Sequence, residues 1–83
     1  MRSGAALTAD GLSSLYERHA HTLFGYCARR VGPDTAEDIV AGTFLVAYER
    51  RSRFDPDRAD ALPWLFGIAT NLLRRHRRDE LRA

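Results

Sequence analysis

The sequence predicts an all-α domain of three principal helices, the first and second antiparallel and the third packed across them. Three observations carry that expectation. Apolar residues recur at spacings of three and four through three segments, which marks helices with one buried stripe each. Turn-forming residues interrupt the pattern only at Gly32-Pro33 and across Ser52 to Asp60. A chain of 83 residues has room for one modest core and no second domain.

In the first segment Leu12, Leu15, Tyr16, His19, Leu23, Tyr26, Cys27, Arg30 and Val31 share the stripe, and Gly32-Pro33 stops the helix. The second opens on Asp34-Thr35-Ala36-Glu37, where Asp34 is expected to cap the free amides and Glu37 stands in the capping-box position. Laid out at about 100° per residue, Ala36, Ile39, Val40, Thr43, Phe44, Val46 and Ala47 fall on one side. The opposite side carries Asp38, Ala41, Gly42, Leu45 and Glu49. Leu45 is then a large apolar residue pointing outward between two acids, and Gly42 costs the helix about 1 kcal/mol relative to alanine. A stray surface leucine needs no special cause; an outward leucine among small neighbours also suits a docking partner. The third segment begins near Asp60, tolerates Pro63 in its first turn and runs to about Leu81. Leu62, Leu65, Phe66, Ala69, Leu72, Leu73 and His76 share one face, while Trp64, Gly67, Asn71, Arg74, Arg75 and Arg78 collect on the other.

Composition narrows the function. The apolar share of 45% and charged share of 29% are those of a soluble globular chain. No apolar run approaches the roughly 20 residues of a membrane helix, and Met1 to Ala9 lacks the apolar core of a secretory signal. A cytoplasmic protein with no membrane partner is expected. Cys27, the single cysteine, excludes an internal disulfide and reads as a small buried apolar residue. His19, His21 and His76 form no ligand pattern, so neither a metal nor another cofactor is expected. No nucleophile and base pair and no glycine-rich phosphate cradle is present; Asp55, Asp57 and Asp60 read as turn chemistry, which argues against an enzyme.

All 13 basic residues are arginines, and five of them lie between Arg74 and Arg82 against only Asp79 and Glu80. That local excess attracts a polyanion, although cations at a helix C-terminus also complement its dipole as an ordinary solvated end. On the outward stripe of the third segment Trp can stack on an unpaired base, Asn can bond a base edge and Arg can hold phosphates bidentately. The plainer alternative has Trp64 plugging the bundle and the arginines conferring solubility.

From about Leu12 to Arg78 the chain resembles region 2 of the extracytoplasmic-function (ECF) bacterial sigma factors. Leu15-Tyr16-Glu17-Arg18-His19 looks like the family's opening helix. Ala36-Glu37-Asp38-Ile39-Val40 followed by Thr43-Phe44-Leu45 is similar to its A-E-D-(L/I)-V-x-x-(T/V)-F-L segment. Arg53-Phe54-Asp55-Pro56 matches its loop, and Pro63 through Asn71 looks like the W-L-x-x-I-A-x-N run that precedes a basic tail. Each motif alone is weak, but in order at the family's spacing they are strong.

The resemblance implies a sigma factor domain that binds core RNA polymerase and recognises and melts the promoter −10 element during transcription initiation. It implies docking of the second helix on the clamp helices of the largest polymerase subunit, through Asp38, Ala41, Gly42, Leu45 and Glu49. It places Arg53, Phe54, Asp55 and Arg58 around an extruded base of the non-template strand, Trp64 and Asn71 along the strand path, and Arg74, Arg75 and Arg78 on phosphates. A pocket that binds only the flipped base offsets the few kcal/mol of unstacking while selecting its identity. An anti-sigma factor is a further implied partner. Two departures stand out: Ala41-Gly42 replaces the usual Gln followed by an acid, and the family's second domain, with its helix-turn-helix, has no space here. The first departure keeps a rival reading open, a sigma-like interaction module that binds a regulator or polymerase without DNA.

Overall fold

A computed structural model describes residues 8–54 and 60–82. It contains three α-helices, α1 (Ala9–Val31), α2 (Pro33–Glu49) and α3 (Ala61–Arg82), with one 3₁₀ turn at Arg51–Arg53 between the second and third. The residues that face one another give the directions. Tyr16 meets Phe44 while Ala20 and Phe24 sit beside Val40 and Glu37, so α1 and α2 run antiparallel. Tyr26 meets Phe66 and Thr70, and Arg30 lies by Arg74, so α3 runs along α1 in the same direction. No described helix is long and apolar enough to cross a membrane.

Local chemistry sets each helix end. Thr8 caps α1, its hydroxyl accepting from the amide of Gly11 at 3.0 Å. Asp60 does the same for α3 through the amide of Leu62 at 3.1 Å, and Pro63 stands in the first turn, where its missing N–H leaves no bond unmade. The expected Asp34 cap on α2 is not found: the helix already includes Pro33, and no side chain caps it. Gly32 performs both terminations. Its N–H donates to Ala28 at 2.9 Å to close α1, and its carbonyl accepts from Ala36 at 3.0 Å to open α2. Reversing the chain in one residue takes φ 85° and ψ 162°, a region open essentially to glycine alone. A Cβ at this position meets no atom within 4 Å, so only backbone strain opposes it. Gly32→Ala should therefore lower stability by about 1–3 kcal/mol, read as a shift in the urea midpoint at unchanged slope.

The core gathers Leu15, Leu23 and Cys27 from α1, Ala36, Ile39, Val40, Phe44 and Ala47 from α2, and Ala61, Leu65, Ile68 and Ala69 from α3. Burying these apolar side chains supplies most of the driving force, at about 25 cal/mol per Å² removed from water. Thr43 is buried among them, and its hydroxyl donates to the carbonyl of Ile39 at 2.7 Å, so that hydroxyl is not stranded. Burial pushes the Cys27 thiol up in pKa, against the opposing charge of Arg30, and keeps it a neutral apolar filler.

Several residues differ from expectation. Tyr16, assigned to the α1 stripe, is half-exposed and leans its ring edge on Phe44 at 5.0 Å. Arg30, on the same stripe, is exposed and folds back over the Tyr26 ring, 3.8 Å from its centroid, while donating to the Tyr26 carbonyl. Ile68, left off the α3 core face, is buried, whereas Leu72 is only partly so.

Candidate nucleic-acid interface and docking face

On α3, Trp64, Gly67 and Asn71 follow one another at spacings of three and four and so share a face one turn apart. With Arg50, Pro63, Thr70 and Arg74 they line a shallow groove of about 530 Å³. The indole of Trp64 is half-buried and lies on the Phe54 ring, centroids 4.8 Å apart and planes 16° from parallel. One side of the indole therefore packs on Phe54, and the remainder lines the groove. Asn71 is exposed, and its Oδ1 is 3.5 Å from Nη1 of Arg74, a long contact that leaves the amide NH₂ free for another acceptor. Arg75 and Arg78 are exposed one turn further along the same stripe, beyond the groove.

Phe54 needs correction. Placed by sequence around an extruded base, it is instead buried in the core, because the extended backbone after the 3₁₀ turn carries its ring inward beneath Trp64. Arg53 is exposed on that turn but does not line the groove, and Arg50, which sequence reading passed over, does. Asp55 and Arg58 lie outside the described residues.

On α2, Asp38, Ala41, Leu45 and Glu49 are exposed, and Leu45 is the most exposed large apolar residue of that helix at 60%. Gly42 departs from the set. It sits at the flank nearest α3, where a Cβ would lie 3.2 Å from Cδ1 of Leu72. The missing side chain lets α3 approach, so Gly42 serves helix packing and only Ala41 of the departing pair faces outward. Two aromatics, Tyr16 and Tyr48, adjoin this face. Tyr16 borders a depression of about 360 Å³ with Phe24, Val40 and Ala41. Tyr48 lies under Arg51 with the guanidinium 4.1 Å from its ring centroid.

The family model for Sigma-70 region 2 matches residues 15–83. Among curated proteins, the chain is 39% identical over 69 residues to the ECF RNA polymerase sigma factor BldN of Streptomyces coelicolor, covering 82% of this chain and 26% of that protein. It is 38% identical over 73 residues to the RNA polymerase sigma factor CarQ of Myxococcus xanthus, covering 83% and 41%. To the ECF RNA polymerase sigma factor SigL of Mycobacterium tuberculosis it is 36% identical over 79 residues, covering 93% and 45%. The chain thus spans less than half the length of these relatives. No solved structure matches.

Proposed function

The chain belongs to the Sigma-70 region 2 family, and from that premise we propose that it binds core RNA polymerase through α2 and holds the promoter −10 non-template strand unpaired along α3. The observation that carries the DNA half is the groove on α3, where an indole, an amide and a guanidinium line one continuous surface. Each supplies a different part of single-strand recognition: a stacking plane, a base-edge donor and a phosphate clamp. The work is done by binding. A strand held open on this surface shifts the duplex equilibrium toward melting by the affinity for the unpaired state alone, with no chemical step.

The polymerase half rests on the outward side of α2. Leu45 offers an apolar anchor at its centre, and Asp38 and Glu49 on the rim favour a basic partner. Tyr16 widens that apolar area from α1. Ala41 leaves the surface flat where a polar side chain would add a hydrogen bond, so affinity depends more heavily on Leu45.

Phosphate and base contacts are separable. Arg78→Ala should weaken binding of any single strand about equally and make the salt slope shallower by roughly 0.7, the increment for one lost contact. Asn71→Ala should flatten preference among −10 variants and leave the slope in place. Labelled non-template oligonucleotides titrated over a salt series, with core polymerase present, distinguish the two. Loss of sequence preference in the arginine variant alone would reverse the roles. No DNA effect from either, in an assembled complex, would favour the interaction module.

A further inference from the structure

A second groove, between the last turn of α1 and the second half of α3, is used by neither the DNA reading nor the polymerase reading. It has a volume of about 550 Å³, and its α3 side runs from Thr70 to Leu81, a length of about 16 Å at 1.5 Å per residue. α1 ends at Val31 beside this stretch, whereas α3 runs on to Arg82. Past Arg74 every described residue of α3 except His76 is exposed. Tyr26, Val31 and Leu73 form the apolar part of the groove, and Leu81, 80% exposed, stands at its α3 end. Three exposed arginines border it, Arg30, Arg74 and Arg77. The single acid that lines it is Glu80, whose carboxylate already meets Nε2 of His76 at 3.4 Å. Among the described residues no carboxylate pairs with any of the three arginines.

We propose that this groove docks an acidic amphipathic helix of a regulatory protein, laid along α3 where α1 gives out, and that the docked helix antagonises single-strand binding. The apolar residues suit leucine-type anchors at spacings of three and four, and the unpaired arginines suit carboxylates on the flanks of such a helix. Nucleic acid would satisfy the arginines but not Val31, Leu73 and Leu81, whose removal from water needs an apolar partner. The antagonism follows from shared residues: Thr70 and Arg74 line both this groove and the one beside Trp64. A carboxylate that draws the Arg74 guanidinium to this side takes it from the phosphate path. That half of the proposal rests on the single-strand reading above; the docking half does not.

The probe is a fluorescein-labelled helical peptide of about four turns, with leucines at i, i+4 and i+7 and glutamates on both flanks; its control carries lysines in place of the glutamates. The chain should bind the acidic peptide at least about tenfold more tightly than the basic one. Leu81→Ser should weaken the acidic peptide about tenfold, the scale of one lost anchor, with the thermal melt and strand binding unchanged. With core polymerase present, saturating peptide should weaken binding of a −10 non-template oligonucleotide, the oligonucleotide should weaken the peptide by the same factor, and Arg74→Ala should remove that coupling. Equal binding of the two peptides, or no loss with Leu81→Ser, would overturn the docking site. An Arg77→Ala loss of strand affinity equal to that of Arg78→Ala, with neither peptide bound, would give the face to nucleic acid instead. Self-association of the chain that Leu81→Ser abolishes would give it to a second copy. Peptide binding that leaves the oligonucleotide untouched, in a complex that binds both, would overturn the antagonism alone. A complex that binds the peptide but no strand would remove the single-strand reading and the antagonism together, and leave the docking groove standing.

Discussion

Replacing Leu65 by alanine should destabilise the domain by about 2–5 kcal/mol, the range for truncating a buried leucine in a core that cannot fully collapse around the cavity. Leu65 has no exposed surface and sits on α3, among buried residues drawn from all three helices. At roughly 0.05–0.15 kcal/mol per residue the whole domain holds on the order of 4–12 kcal/mol, so the loss is a large fraction of the total. Chemical denaturation monitored by helical circular dichroism measures it. Leu81 provides the control. It is 80% exposed near the end of α3, and Leu81→Ala should stay within about 0.5 kcal/mol of wild type. Equal effects at both positions would mean that the helix is rotated from the arrangement described.

Leu45→Arg should abolish polymerase association without unfolding the chain. With 60% of Leu45 exposed, the arginine has solvent to enter in the free domain, and the fold loses little. In a docked complex the same position would bury a charge at the centre of the contact. Losing an anchor of this type costs at least about 2 kcal/mol, which is roughly thirtyfold in affinity. Co-purification with core polymerase, together with a thermal melt of the free variant, separates the outcomes. A variant that melts normally and still binds would take α2 out of the interface; one that melts early would make Leu45 a packing residue.

The α2 core was the most legible part of the sequence. Its buried residues Ala36, Ile39, Val40, Thr43, Phe44 and Ala47 are all among those expected, because α2 is flanked by helices on two sides and its apolar arc is broad. Periodicity served less well on α3. Its apolar arc narrows after Ala69, where burial ends and exposed arginines begin, and no spacing rule tells where a partner helix stops. Leu72 and Leu73 keep the pattern, yet both are only partly covered.

At the candidate interface, the outward positions of Asn71, Arg74, Arg75 and Arg78 were readable because a helix fixes the angle between residues. Phe54 was not, since the direction of a side chain leaving an irregular segment depends on backbone angles that composition does not encode. Gly42 and Gly67 look alike in a sequence. One is covered by Leu72 and the other opens on solvent, a difference that only the packed neighbours create.

The single-residue reversal at Gly32 also bears on how the chain finds its fold. Helices joined by one residue can pair without closing a loop, so the entropy normally lost in bringing distant segments together is small for α1 and α2. Their contacts join residues close in sequence around the turn, the kind of local topology that folds on microsecond to millisecond timescales. Docking of α3 must instead close the longer connection after Glu49. A helical hairpin of α1 and α2 is thus the natural nucleus, and it already carries the complete outward side of α2 before α3 arrives.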